Sequence, residues 1–142
     1  MNDNKITIAE VISLVDSLKP NVRTDEEKRL WLNNLDRMIY EDIICTHEGS
    51  EGVTFEGYDE DTPGEQELLV PKHYGAEIYR FFLEMQIDLA NVEYNRYNVS
   101  SAMFMSAYEN YEKAYNRQHM PLQPVVKSQT RNEKWWVDLN AI

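Results

Sequence analysis

The apolar positions of the chain recur at helical spacing in four segments, which predicts a mainly α protein. In the first segment, a Thr7–Glu10 capping box is followed by apolar residues three and four apart, until Pro20 interrupts the pattern. In the second, a Thr24–Glu27 capping box precedes a stripe that continues to about Cys45 (Leu32, Leu35, Ile39, Ile43). Two helices are therefore expected in this part of the chain.

Two further helices are predicted after Pro71. One apolar stripe continues to about Tyr94 (Ile78, Phe81, Phe82, Met85, Leu89, Val92), and the next alternates large and small side chains as far as His119 (Phe104, Ala107, Tyr111, Ala114). The polar residues between these stripes suit helix ends, because asparagine and serine side chains bond to free backbone groups. We expect the corner of a helical hairpin there, with Asn98 or Ser100 as a cap (Asp88, Asn95, Tyr97, Asn98, Ser100).

The segment between the second and third helices has a different composition. The stretch EGSEGVTFEGYDEDTPGEQE, residues 48–67, carries eight acidic residues, four of the five glycines and no lysine or arginine. Alternation in Val53–Phe55 and a short apolar run at Leu68–Val70 predict a small β-hairpin with an acidic tip in an insertion at residues 48–70. The alternative is a solvated, disordered acidic loop, because like charges resist compaction.

The length of 142 residues fits one four-helix, bundle-like domain at residues 1–120 and a C-terminal tail at residues 121–142. The tail loses helical periodicity and contains adjacent Trp135 and Trp136. Such a pair is expected to cover apolar surface, and two alternatives are open: it folds back on its own domain, or it docks on a neighbouring copy. We expect the tail to be extended.

The net charge of −11 argues against sequence-specific nucleic-acid binding, because an acidic surface repels phosphate. No apolar run is long enough to span a bilayer, and the start of the chain lacks the apolar stretch of a secretion signal. We therefore expect no membrane partner and synthesis in the cytoplasm.

No complete catalytic or metal-binding motif is present. Glu84 and Asp88 lie four apart on one helix face, whereas all-α pyrophosphohydrolases that use Mg²⁺ carry ExxE and ExxD pairs. Cys45, His47 and Glu48 supply at most half of a zinc site, because the chain has one cysteine. Phosphate-binding glycine motifs and HExxH are missing as well. The sequence predicts no enzyme activity, no metal and no cofactor.

Three stretches carry a family resemblance: ITIAEVISLVDSLKPN, DEEKRLWLNNLDRMIYEDI and ELLVPKHYGAEIYRFFLEMQIDLANVEYNRYNVSSAMFMSAYENYEKAYNRQHMP. They resemble small proteins encoded beside the capsid genes of tailed bacteriophages and prophages, described as head-tail connector, adaptor or head-completion proteins. The resemblance covers about residues 6–121 and is most specific at Gln86–Asn91, Arg96–Asn98 and Tyr115–Pro121. The tryptophan-containing tail departs from the pattern.

The resemblance implies an α-helical adaptor that forms a ring on the portal protein, extends the DNA channel and contacts tail or stopper proteins. It would act at the head-tail junction of the virion after assembly in the host cytoplasm, and DNA would pass it without specific binding. A ring needs two different complementary surfaces, for which the acidic loop and the tail are candidates (Phe55, Tyr58, Asp59, Glu60, Asp61, Trp135, Trp136).

The acidic composition also supports a second hypothesis from a different class. In this alternative, the chain is a monomeric binding module that mimics the charge of DNA and inhibits a nucleic-acid enzyme of the host. The two hypotheses differ in oligomeric state and in partner.

Overall fold

The computed structural model describes residues 4–122, which form four α-helices joined by loops. The helices are α1 (Ile8–Leu18), α2 (Asp25–Asp42), α3 (Lys72–Ala90) and α4 (Tyr94–Gln118). Two short 3-10 turns, Ile44–Thr46 and Ser50–Gly52, follow α2. The mainly α prediction is confirmed, whereas Trp135, Trp136 and nearly all of the predicted tail lie outside the described residues.

The first two helices begin where their capping boxes predict. The Thr7 hydroxyl accepts from the Glu10 N–H at 3.2 Å, and the Glu10 carboxylate accepts from the Thr7 N–H at 2.9 Å. Thr24 and Glu27 repeat this exchange at 3.1 and 3.0 Å. Each cap satisfies backbone donors that the first helical turn leaves unpaired, and contributes about 1 kcal/mol.

Helix α3 lies at the centre of the fold, because it packs against each of the other three helices. Its residues Ile78, Tyr79, Leu83 and Ile87 are almost completely buried. Helix α4 packs along α3, and within residues 4–122 it makes no comparable contact with α1 or α2. The core thus lies mainly on one side of α3, and α4 packs against a different side of this helix.

The prediction of a β-hairpin is wrong. Residues 53–55 and 68–70 do not pair, and no strand forms within residues 4–122. Residues 64–68 instead follow the start of α1, where the Ile8 N–H donates to the Gln66 carbonyl at 3.0 Å and the Ala9 N–H donates to the Gly64 carbonyl at 2.9 Å. The free N–H groups in the first turn of α1 need acceptors, and the loop supplies them.

The predicted position of the helical-hairpin corner is also wrong. Helix α3 ends at Ala90 and α4 already begins at Tyr94, so Asn95, Tyr97, Asn98 and Ser100 lie inside α4 rather than at its cap. The chain reverses through residues 91–93 instead.

A Schellman motif closes α3 at this corner. The Glu93 N–H donates to the Asp88 carbonyl at 2.8 Å, and the Val92 N–H donates to the Leu89 carbonyl at 3.0 Å. This closure requires a left-handed residue, which here is Val92 at φ 59°. A β-branched residue is strained in that conformation, so no sequence signal marked this position as the corner.

Candidate functional site

A buried carboxylate on α2 ties together four parts of the fold. Asp36 has no exposed surface. Its Oδ2 accepts from the Tyr58 hydroxyl at 2.5 Å and from the Leu69 N–H at 3.1 Å, and its Oδ1 accepts from the Tyr79 hydroxyl at 2.6 Å. Tyr58 belongs to the acidic loop, Leu69 precedes α3 and Tyr79 lies on α3. We call these four residues the Asp36 clasp.

The clasp contains one group that titrates near neutral pH. Burial raises the pKa of Asp36 from 3.8 to about 6, although the hydrogen bonds from the two tyrosines and from Leu69 oppose the rise. Burial, followed by the nearby carboxylate, holds the pKa of Tyr58 and of Tyr79 well above the ordinary value. The tyrosines therefore remain donors while the carboxyl group changes charge. Because Asp36 is enclosed, this chemistry concerns stability rather than a substrate.

Asp36 was not among the sequence-predicted site residues, although its position carried a signal. It lies four residues after Leu32 and three before Ile39, which places it on the apolar stripe of α2. An acidic residue at such a position must find partners when the helix packs. Those partners, Tyr58 and Tyr79, are distant in sequence, so periodicity did not identify them.

The clasp divides the predicted interface residues of the acidic loop into two groups. Tyr58 is buried, and the half-buried Phe55 meets it edge to face with ring centroids 5.2 Å apart. The guanidinium of Arg37 lies 5.2 Å from the centroid of the Phe55 ring. Both aromatic rings therefore contact their own subunit, and a contact with another molecule would use mainly the carboxylates of the loop.

Those carboxylates, Asp59, Glu60 and Asp61, are exposed and form what we call the acidic tip. A local turn holds the tip: the Asp59 N–H donates to the Thr62 hydroxyl at 2.9 Å, and the Thr62 N–H donates back to the Asp59 carbonyl at 3.0 Å. The Asp59 carboxylate also accepts from the Asp61 N–H at 2.9 Å. The loop is thus folded against the helices rather than solvated along its whole length.

The residues predicted at the hairpin corner also divide into buried and exposed side chains. Asp88 is completely buried, accepts from the Lys19 ammonium at 2.8 Å and accepts from the Ser100 hydroxyl at 2.9 Å. The expectation that Asp88 finds a hydrogen-bonding partner is confirmed, and this contact joins α1, α3 and α4. Asn95 and Asn98 are exposed on α4, and Tyr97 packs against the edge of the core.

The residues considered for zinc do not converge on a site. His47 is buried, and its Nδ1 donates to the Ile43 carbonyl at 2.5 Å while its Nε2 lies 2.5 Å from Asn116 Oδ1. Cys45 is exposed, and Glu84 is paired with Arg80 at 2.8 Å. Within residues 4–122, no group of three or more histidine, cysteine, aspartate or glutamate side chains is placed to hold a metal ion.

A cleft of about 960 Å³ lies between the acidic loop, the segment before α3 and the C-terminal part of α4. We call it the aromatic cleft, because ring side chains line it (Phe55, Tyr58, Tyr74, Tyr111, Tyr115, His119). Tyr115 and His119 stack with centroids 4.0 Å apart, and Tyr111 packs 5.8 Å from both Tyr74 and Tyr115. Burial raises the pKa of Tyr111 and of Tyr115, so both are neutral hydroxyls at physiological pH.

Searches against protein-family models, curated proteins and solved structures found no match to the chain. In the described part of the chain, no helix has the length and apolar character needed to cross a membrane.

Proposed function

We propose that this chain is a non-enzymatic structural protein of a tailed phage particle. It acts as a head-tail adaptor that forms a ring on the portal protein, extends the DNA channel and supports attachment of tail or stopper proteins. The proposal rests on the sequence resemblance over about residues 6–121. It assigns the protein to the host cytoplasm during assembly and then to the virion.

The observation that carries the proposal is an acidic surface that the fold holds in place. The acidic tip is fixed by its own turn and by the Asp36 clasp directly beneath it, since Tyr58 immediately precedes Asp59. The tip also lies beside the first turns of α2, where Glu26, Asp59 and Glu60 line a small depression together with Arg29. A channel wall of this charge repels phosphate, so DNA can pass without contacts that must later be broken.

Ring formation requires two different complementary surfaces on each subunit. Helix α4 packs on α3 alone among the helices, and Val99, Met103 and Met105 are exposed on it. Exposed apolar side chains of this size are candidates for contacts between subunits, which leaves the acidic tip to face the channel.

The test is a mass measurement of the full chain, alone and mixed with portal rings from the phage or prophage that encodes it. We expect a ring of many copies on the portal, even if the isolated protein is monomeric and needs the portal as a template. A charge-neutralised variant, Asp59→Asn with Glu60→Gln and Asp61→Asn, should assemble but retain DNA more strongly at low salt. A protein that stays monomeric with every portal preparation would contradict the proposal.

The acidic tip also favours the alternative of a DNA-mimicking inhibitor, because several exposed carboxylates lie on one folded loop. The tagged full chain should then capture a DNA-binding enzyme from host lysate, and the charge-neutralised variant should lose it. Capture of virion components alone would remove this alternative.

A further inference from the structure

We propose that the aromatic cleft is the docking site for residues 123–142 of the same chain, with Trp135 and Trp136 as the anchors. This inference does not depend on the adaptor function, because it concerns the isolated subunit. It is drawn from the path of the chain at residue 122, from the chemistry of the cleft and from the composition of the segment that follows.

The last described residues of the chain lie at the edge of the cleft. Gln118 and His119, at the end of α4, are part of the lining. The chain then pairs antiparallel with the segment after α2: the Glu48 N–H donates to the Met120 carbonyl at 2.9 Å, and the Leu122 N–H donates to the Thr46 carbonyl at 2.8 Å. The described chain therefore ends at Leu122, beside the 3-10 turn at residues 44–46, and Ile44 of this turn lines the cleft.

The cleft is large enough for a tryptophan pair and offers it aromatic rings beside polar groups. Its volume of about 960 Å³ is at the upper end of the roughly 300–1,000 Å³ typical of ligand clefts. Tyrosine and phenylalanine rings offer edge-to-face and stacked contacts to indole groups, and indole N–H groups need acceptors, which hydroxyl and carbonyl oxygens provide. Large aromatic anchors seated in such pockets are the usual source of binding energy.

Charge also favours this occupant. Residues 123–142 contain three basic and two acidic side chains, whereas the whole chain has a net charge of −11 (Lys127, Arg131, Lys134 against Glu133, Asp138). The lining of the cleft includes Glu56 and Glu67 together with Lys5. A slightly basic segment thus follows directly after an acidic domain, and their attraction adds to the aromatic contacts.

Reach and effective concentration favour docking within one subunit over docking on a neighbour. The thirteen residues that follow Leu122, up to and including Trp135, can extend roughly 45 Å, which exceeds the width of a domain of this size. A short tether gives an effective concentration on the order of millimolar. In a dilute solution of free subunits, the attached segment therefore occupies the cleft before a second copy does.

The single cysteine allows a direct test in the full chain. Cys45 is exposed and adjacent to Ile44 of the cleft, so a nitroxide label can be attached there. The probe is the intensity of the three tryptophan indole N–H signals in an ¹⁵N spectrum, compared before and after the nitroxide is reduced. We expect the signals of Trp135 and Trp136 to be lost while the label is paramagnetic, and Trp31 on α2 serves as the internal reference.

Two variants distinguish specific docking from accidental proximity. Gly52 lines the cleft, and a Cβ at this position would meet no atom within 4 Å, so Gly52→Tyr places a ring where the tryptophan pair would bind without a backbone clash. Its matched control, Ala102→Tyr, adds the same ring at an exposed position of α4 outside the cleft. The Trp135 and Trp136 signals should return in Gly52→Tyr and stay lost in Ala102→Tyr.

The remaining outcomes overturn the proposal. If the Trp135 and Trp136 signals stay lost in Gly52→Tyr as they do in Ala102→Tyr, the tryptophans do not bind in the cleft. If the loss also appears in an ¹⁵N Cys45→Ser sample mixed with nitroxide-labelled protein that carries no ¹⁵N, the occupant is a neighbouring copy and not the same chain. Full signal intensity in every sample would show that the segment does not dock near the cleft.

Discussion

The ionisation of Asp36 leads to a quantitative prediction about stability and pH. The native state holds this proton more tightly than the unfolded chain, because burial raises the pKa of Asp36 from 3.8 to about 6. The contribution of this bound proton to the free energy of unfolding is therefore complete below the unfolded pKa of 3.8 and is lost as the pH rises through about 6. A pKa difference of about two corresponds to about 3 kcal/mol in the free energy of unfolding.

The variant Asp36→Asn isolates this contribution, since its side chain keeps its shape and is neutral at every pH. We expect the free energy of unfolding of wild type minus that of the variant to fall by about 2.5 kcal/mol between about pH 4 and about pH 7.5. Urea unfolding followed by far-ultraviolet circular dichroism, in steps of about half a pH unit, measures this difference.

The exposed Asp42 provides a matched control at the end of the same helix. Asp42→Asn should change the free energy of unfolding by no more than about 0.5 kcal/mol across this range, as is usual for surface substitutions. A wild-type minus Asp36→Asn difference that is independent of pH would refute the reasoning. A difference that grows with pH would show that the three donors stabilise the carboxylate by more than its burial costs.

Three further substitutions test separate contacts. Lys19→Met leaves the buried carboxylate of Asp88 with Ser100 as its remaining partner, and should lower the free energy of unfolding by about 3 kcal/mol. Its control, Lys72→Met, breaks an exposed ion pair with Glu10 and should cost under about 0.5 kcal/mol. Urea unfolding measures both losses, and equal losses would contradict the prediction. Tyr79→Phe removes a hydrogen bond that lowers the pKa of Asp36, so it should lower the urea unfolding midpoint more above about pH 6, where the carboxylate is ionised, than below it; an equal loss at every pH would contradict this. Val92→Gly removes the strain of a β-branched residue in the left-handed conformation, and should raise the free energy of unfolding by about 1 kcal/mol. Thermal or urea unfolding measures this gain, and Val92→Ala should not show it.

Local signals in the sequence predicted the helices well. The two capping boxes gave the starts of α1 and α2, and Pro71 gave the start of α3 within one residue. These features depend on residues within one turn of each other, so they can be identified without knowledge of the tertiary contacts.

The errors arose where distant residues decide the structure. Residues 64–68 pair with the start of α1 across about 60 positions of sequence, so hairpin-like alternation near them was misleading. The corner at Val92 was missed because glycine or asparagine is expected at a left-handed position. The Asp36 clasp joins positions up to 43 residues apart, and the aromatic cleft combines five separate stretches of the chain. Such sites exist only once the helices pack.

Helix α4 packs on only one other helix, and this has a consequence for the way the molecule opens. Once its contacts with residues 46–48, including His47 with Asn116, also break, α4 can detach from α3 as a unit while the rest of the fold persists. Backbone amides of α4 should therefore exchange with solvent deuterium through a partial unfolding event of lower free energy. Amides at the middle of α3 should exchange only when the whole domain unfolds.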